Sequence, residues 1–237
     1  MKKLVVLSGA GMSADSGLKT FRDSGGLWEG HDVMQVASPE AYAHNPELVL
    51  EFYNQRRRQL HSAVPNAGHQ ALASLESHYE VEIITQNVDD LHERAGSTRV
   101  LHLHGELLKA RSTGPEERVY PWKGDILPTD RCEDGYPLRP HIVWFGEPVP
   151  LLEEAATLTL QADLLIVVGT SLQVYPAAGL LYYRKQGTPL YFVDPRPSLN
   201  PGDLDHLEVL RERAAVGLPI LANRLIDKAS GSDGPNP

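Results

Sequence analysis

The sequence predicts an α/β fold built on a mainly parallel, Rossmann-type sheet, and three observations carry that expectation. Short apolar runs rich in β-branched residues, such as Leu4-Val5-Val6-Leu7 and Leu164-Leu165-Ile166-Val167-Val168, read as strands buried on both faces. Segments of helical periodicity alternate with these runs, the order expected of parallel strands joined by helices. The first run leads directly into Gly9-Ala10-Gly11-Met12-Ser13-Ala14, which matches G-x-G-x-x-G/A at the place where a phosphate-binding turn follows a first strand.

In such a turn Gly9 lets the chain bend sharply and Gly11 lets backbone approach a pyrophosphate. Ala14 lets the following helix sit close to the strand, and N–H groups at its start face the phosphates. A purely structural glycine turn would look the same. One feature of a dehydrogenase fingerprint is missing: an acidic residue about 20 positions on, at the end of the next strand, that would hold the ribose. Asp23, Glu29 and Asp32 instead sit in or beside the glycine-bearing stretch Asp23 to Gly30, which reads as a loop.

At 237 residues the chain fits one large domain, or one domain with a smaller insert. Apolar residues at 41% and charged residues at 22% are ordinary globular values. The net charge of −9 argues against general affinity for nucleic acid. Cys132 is the only cysteine, so an intramolecular disulfide and a zinc site built from CxxC pairs are both excluded. The opening MKKLVVL has the start of a secretory signal, but its apolar part stops at Gly9. No apolar run approaches membrane-spanning length, and a soluble cytoplasmic protein is expected.

Along the chain, Pro46 to Arg58 reads as a helix, with Leu48, Phe52 and Tyr53 apolar and Arg56-Arg57-Arg58 in its last turn. A second helix covers His69 to Tyr79, and Val81 to Thr85 is a strand that ends in Gln86-Asn87-Val88-Asp89-Asp90. Leu91 to Ala95 is a short helix, and Val100 to His104 alternates with period two before Gly105. Ser112 to Pro140 is loop-rich, with Pro115, Pro121, Pro128 and Pro137 along it, and reads as a small lobe. Val143 to Gly146 is strand-like, Leu151 to Ala162 helical, Pro176 to Gln186 helical, Pro189 to Val193 a strand, and Leu218 to Ile226 a last helix. Ala229 to Pro237 is expected to be a disordered tail.

Ligands of open parallel sheets lie at the carboxyl ends of the strands. Four such ends carry polar residues: Gly9 to Ser13, Gln86 to Asp89, His104-Gly105 and Gly169-Thr170-Ser171. Their agreement points to one crevice. His104 is the general-base candidate, because imidazole titrates near neutral pH; alternatively His102 and His104 both cap a strand edge. Asn87 and Asp89 are candidates for ribose hydroxyls, or for turn caps. Gly169-Thr170-Ser171 would bind phosphate or ribose, or form a tight turn.

Taken together, these segments resemble the sirtuins, the NAD-dependent protein lysine deacylases. The stretch Gly9 to Ser13 through Gly17 and Thr20-Phe21-Arg22 resembles the family's cofactor loop. Thr85 to Asp89 with Leu91-His92, then His104-Gly105, then Arg139-Pro140 with Val143 to Glu147, then Gly169 to Ser171, resemble its further signatures in the right order. The resemblance implies a Rossmann-type body over 1–29, 65–105 and 140–228, and a small lobe of two insertions, a helical one over 30–64 and one over 106–139. It also accounts for the missing acid, since the family uses NAD as an electrophile and not as a hydride carrier.

By resemblance, His104 is the base for a ribose hydroxyl and Asn87 its catalytic neighbour. Gln86, Asn87 and Asp89 line the ribose and nicotinamide pocket. Gly9, Ala10, Gly11, Ser13, Phe21 and Arg22 form the cofactor loop, Gly169, Thr170 and Ser171 hold the cofactor, and Val143, Phe145, Gly146 and Glu147 pair with an acyl-lysine peptide as an added strand. Two departures stand out. The family's four zinc cysteines are reduced to Cys132, with Ser112 near the first pair, so no structural zinc is expected. After Phe192-Val193, Asp194 stands where an asparagine would touch the adenosine ribose. Tyr53 and Arg56, at i and i+3, resemble the acidic-acyl pocket of desuccinylases, with Ala37 where many deacetylases are bulkier. The expected activity is removal of succinyl, malonyl and acetyl groups from protein lysines, releasing nicotinamide and O-acyl-ADP-ribose; mono-ADP-ribosyl transfer on the same fold is the alternative.

Overall fold

The structure, a computed structural model, describes residues 1–19, the backbone of 27–28, and 31–231. Its strands are β1 (Lys3–Ser8), β2 (Leu27–Trp28), β3 (His31–Asp32), β4 (Glu80–Thr85), β5 (Val100–His102), β6 (Gly105–Ser112), β7 (Val119–Pro121), β8 (Leu138–Ile142), β9 (Leu164–Val168), β10 (Leu190–Val193) and β11 (Leu207–Leu210). Its α-helices are α1 (Val33–Val36), α2 (Pro39–His44), α3 (Pro46–Ser62), α4 (Ala67–Ser74), α5 (Leu91–Arg94), α6 (Leu152–Leu160) and α7 (Ala214–Ala229).

Six strands form one parallel sheet in the order β11-β10-β9-β1-β4-β5. Strand β1 lies inside it, paired with β4 on one side and β9 on the other. Its alternating side chains enter two cores. Leu4 and Val6 pack with Leu72 of α4 and Leu218 and Leu221 of α7, while Val5 and Leu7 pack with Ala155 of α6 and Leu180. Both faces are covered, which is why this strand reads as unbroken apolar sequence. The chain leaves β1 towards β4 and β5, then returns to build β9, β10 and β11 on the other side, so the strand order reverses between β1 and β9. Ligand crevices of parallel sheets open at this point.

Two further cores lie outside the large sheet. Val36, Val49, Phe52 and Tyr53 of the helical segment pack with Leu107, Ile142 and Trp144. Leu50, Ala110, Ile126 and Leu138 form the other, flanked by Trp122 and Cys132. The loop-rich reading of Ser112 to Pro140 needs correction, because its ends belong to an antiparallel sheet, β7-β6-β8. Pro140 sits within β8, on the sheet edge, where a missing N–H is tolerated. Gly105 opens β6 at φ +82°, and a Cβ there would lie 2.1 Å from the His141 carbonyl oxygen, so only glycine fits.

Other boundaries also differ. Strand β8 ends at Ile142, and Val143 to Gly146 continue as coil and turn. Within the helix expected over Pro176 to Gln186, Ala177–Tyr183 is helical and of the 3-10 type, and β11 carries no apolar run long enough to announce it. Helix α7 begins at Ala214, four residues before the expected start and despite Pro219 inside it, and runs on to Ala229. Of the expected tail, Ala229 closes α7, Ser230 and Gly231 form a turn, and 232–237 lie outside the described residues.

Candidate active site

The glycine loop is organised differently from the phosphate turn its spelling suggests. Two 3-10 turns, Ala10–Met12 and Ala14–Ser16, follow β1 in place of a helix. The loop amides are used internally: Gly9 N–H donates to Val168 O, Gly11 to Gly169 O, Met12 to Gly9 O and Ser13 to Ala10 O. A Cβ on Gly11 would lie 2.7 Å from Gly169 Cα. The glycine therefore permits contact between two strand-end loops at the switch point, where the motif alone suggests a pyrophosphate.

Above these loops lies a cavity of about 440 Å³. It is lined by Gly9, Ala10, Gly11 and Ser13 after β1, by Gln86, Asn87 and Asp89 after β4, and by His104 after β5. Gly169, Thr170 and Ser171 after β9 and Asp194 after β10 complete the row of strand ends. Tyr53 and Arg56 of α3, together with Val143, Phe145, Gly146 and Glu147 after β8, line the same cavity. Phe21 and Arg22 lie outside the described residues. The five neighbouring strand ends from β10 to β5 span roughly 19 Å at about 4.8 Å per strand, enough to lay out a dinucleotide.

At the β4–β5 end, His104 Nδ1–H donates to the Gln86 carbonyl at 3.1 Å, which leaves Nε2 with its lone pair. Burial pushes the imidazole below its ordinary range, and the Gln86 bond only partly opposes this, so the ring is neutral at pH 7. Asn87 Nδ2–H donates to Ser13 Oγ at 3.1 Å, and Ser13 Oγ–H donates to Asp89 Oδ2 at 2.9 Å. Asp89 Oδ1 accepts from Leu91 N–H, so this carboxylate both caps α5 and holds Ser13. Burial pushes its pKa up, with the Ser13 and Leu91 bonds working the other way. Gln86 Nε2–H reaches across to Thr170 Oγ1 at 3.2 Å, tying the ends of β4 and β9. At the far end, Asp194 is buried and its Oδ1 accepts from Arg196 N–H. Arg196 and Arg213 line the cavity there too; sequence reading missed both, although Arg213 directly precedes a helix that packs on the sheet.

The third wall comes from the helical segment and the β8 exit. Tyr53 is fully buried and its hydroxyl accepts from Trp144 Nε1–H at 3.1 Å. Arg56, 8% exposed, lies with its guanidinium carbon 3.6 Å from the Phe52 ring centroid. Ala37 also lines the cavity, and its small side chain leaves the space there open. Val143 N–H donates to His104 O and Phe145 N–H to Ala37 O, so the segment is held both by the loop after β5 and by the loop after α1. Glu147 has its carboxylate turned to Arg139 (2.6 Å), Arg111 (3.0 Å) and the Trp144 N–H (2.8 Å). Burial would raise its pKa, but Arg139, the Trp144 amide and Arg111 outweigh that and hold it low. Its side chain thus braces the segment from behind.

Where zinc cysteines would stand, Ser112 Oγ lies 3.3 Å from Cys132 Sγ, and Ser112 also accepts from Gly114 N–H. Among the described residues there is no group of three or more His, Cys, Asp or Glu side chains able to hold a metal ion, nor a helix long and apolar enough to cross a membrane.

Comparison with known proteins places this arrangement. The model of the Sir2 family matches residues 9–176. An NAD-dependent protein deacylase of Helicobacter pylori strain J99 is 56% identical over 230 residues, covering 97% of this chain and 98% of that one. One of Bacteroides thetaiotaomicron is 50% identical over 232 residues, covering 95% and 99%. Among solved structures, a Sir2 homologue in complex with ADP-ribose superposes with a TM-score of 0.88 at 40% identity, covering 99% of this chain and 95% of that one. A Sir2 homologue–NAD complex gives 0.87 at 39%, covering 96% and 91%.

Proposed function

The chain belongs to the Sir2 family, and from that premise we propose that it is an NAD-dependent protein lysine deacylase acting on succinyl and malonyl as well as acetyl groups. One observation carries the reading: a single cavity holds His104 at one wall and the Tyr53–Arg56 pair at another. NAD, when bound, supplies an electrophilic ribose carbon from which nicotinamide departs; the residues do the rest.

The row of strand ends fits a dinucleotide by its length and by its donor set. Asp194 would accept from the adenosine ribose hydroxyls, in place of the expected asparagine. Gln86 and Asn87 would position the nicotinamide ribose, each braced through Thr170 or Ser13. His104 Nε2 would take the proton of a ribose hydroxyl, a role its depressed pKa and fixed tautomer support. Arg56 would meet the free carboxylate of a succinyl or malonyl group, with the Tyr53 phenol beside it. A substrate peptide would lie as an added strand along Val143 to Glu147. Phe145, 42% exposed, offers apolar surface at the mouth. The products are nicotinamide, free lysine and O-acyl-ADP-ribose. We place this chemistry in the cytoplasm, where NAD and acylated proteins meet.

Mass spectrometry of the nucleotide product tests the reading. Incubation with NAD and a succinyl-lysine peptide gives O-succinyl-ADP-ribose; ADP-ribose attached to protein, with the peptide unchanged, would overturn it.

A further inference from the structure

Two histidines that stand two residues apart keep opposite company. His104 donates from Nδ1 and keeps a lone pair for chemistry. His102, the last residue of β5 and 8% exposed, has an acceptor against each ring nitrogen. Its Nδ1 lies 3.1 Å from the Asn87 carbonyl oxygen and its Nε2 lies 2.7 Å from Glu93 Oε1. Neither a carbonyl nor an ionised carboxylate can donate, so both bonds exist together only when both nitrogens carry protons.

We propose that His102 is an imidazolium held by Glu93, and that it acts as a positioning residue whose charge fixes the Gln86–Asp89 segment and whose deprotonation sets the alkaline limit of activity. The segment it grips supplies the Gln86 carbonyl that orients His104 and the Asn87 amide that reaches Ser13. The same backbone is held from its other sides by Gln86 N–H to Ser8 O, Asn87 N–H to Thr85 Oγ1 and Leu107 N–H to Val88 O. Loss of either proton from His102 turns one of its two bonds into a contact between lone pairs, so one grip fails whichever tautomer remains.

The charged and titratable groups around His102 favour this state. Burial would pull the imidazole down, but the Glu93 bond and charge, the Asn87 carbonyl and Glu106 of β6 outweigh it and hold it above the ordinary histidine range. Asp89, in the segment itself, adds a further acidic neighbour. Glu93 keeps about 40% of its side chain in solvent, so its carboxylate is not forced to neutralise. His92 of α5 is fully buried and pushed well below its ordinary pKa, so it adds no competing cation. Lys109 pairs with Glu106 at 2.5 Å.

The proton state can be read without turnover, by imidazole nitrogen NMR of the full ¹⁵N-labelled chain, with His102→Gln to assign the signals. His102 is expected to show two protonated nitrogens at pH 7 and to titrate above about 6.5, with the midpoint falling by about one pH unit in Glu93→Gln. A neutral His102 ring at pH 7 in the unaltered protein would overturn the inference, whatever the activity. The kinetic arm rests on the deacylase reading. The alkaline limb of nicotinamide release should move to lower pH in Glu93→Gln. His102→Gln keeps a donor for Glu93 but none for Asn87, and should lower kcat about ten- to a hundredfold without a matching rise in KM for NAD. His102→Asn, which keeps a donor at the Nδ1 position, should recover part of that loss. A limb that stays in place in folded Glu93→Gln would contradict the positioning role; absence of turnover in the unaltered protein would count against the deacylase reading and leave the NMR result to judge His102.

Discussion

The crevice at the strand ends and the small lobe beside it are held by different means. At the crevice, parallel ladders fix five neighbouring strand ends, and the polar residues that follow each strand converge because the sheet leaves them no other place. In the lobe, side chains join elements far apart in sequence. Arg57, fully buried, donates from Nε to Leu107 O and from Nη1 to Asn54 Oδ1. Asn54 in turn clasps both the N–H and the C=O of Ile126. Burial lowers the Arg57 pKa to about 10, which still leaves the guanidinium charged at neutral pH. The lesson is one of location: backbone topology positions the chemistry, while a few buried polar side chains tie the lobe's separate segments together.

The largest expected effect belongs to the crevice. His104→Ala should lower kcat about a thousandfold while NAD affinity stays within about threefold, measured by nicotinamide release and calorimetry; equal losses in both would mean that the residue shapes the site and does not act as its base. Next comes the wall that joins the two regions. Arg56→Met should cut kcat/KM for a succinyl peptide about ten- to a hundredfold and leave the acetyl peptide within about threefold. Equal loss on both substrates would assign Arg56 to folding.

Within the lobe, Asn54→Ala leaves the buried Ile126 amide groups and Arg57 Nη1 without their partner. It should cost about 2–3 kcal/mol in urea unfolding, with turnover per folded molecule largely kept. The pH dependence of kcat/KM sharpens the crevice side. Because burial favours neutral His104, the acid limb should fall below the ordinary histidine value of about 6.5, with activity rising as pH increases through it. The smallest effect is at the lone thiol: Cys132→Ala should shift stability by less than about 1 kcal/mol, and a zinc chelator should leave the melting temperature in place, whereas a zinc-held lobe would unfold.

The same difference explains how much was legible in the sequence. Buried strands such as Leu4 to Leu7 and Leu164 to Val168 announce themselves, and the residues just after them are the candidate site, so His104, Asn87 and Thr170 could be named from position alone. Tyr53 and Arg56 were legible as one helix face. The glycine motif was found but its local meaning was not, because nothing in Gly11 shows that Gly169 will pack against it. Glu147 lines the cavity, yet its grip on Arg111 and Arg139 needs β6 and β8 side by side and could not be read from the sequence. For His102 the sequence offered no more than the alternative of an edge cap, since the carboxylate that meets it lies nine residues earlier on another element. The lobe's sheet hid behind its prolines, which sit in turns (Pro115, Pro128), beside or at strand ends (Pro137, Pro121) and on an edge strand (Pro140), where they do no harm.

The most direct test of the whole account is nicotinamide release from NAD with matched succinyl-lysine and acetyl-lysine peptides, in the presence of a zinc chelator. Release is expected with both, faster with the succinyl peptide and unchanged by the chelator. Release with the acetyl peptide alone would rule out Tyr53 and Arg56 as an acidic-acyl pocket, and no release with either would contradict NAD-dependent deacylation by this chain.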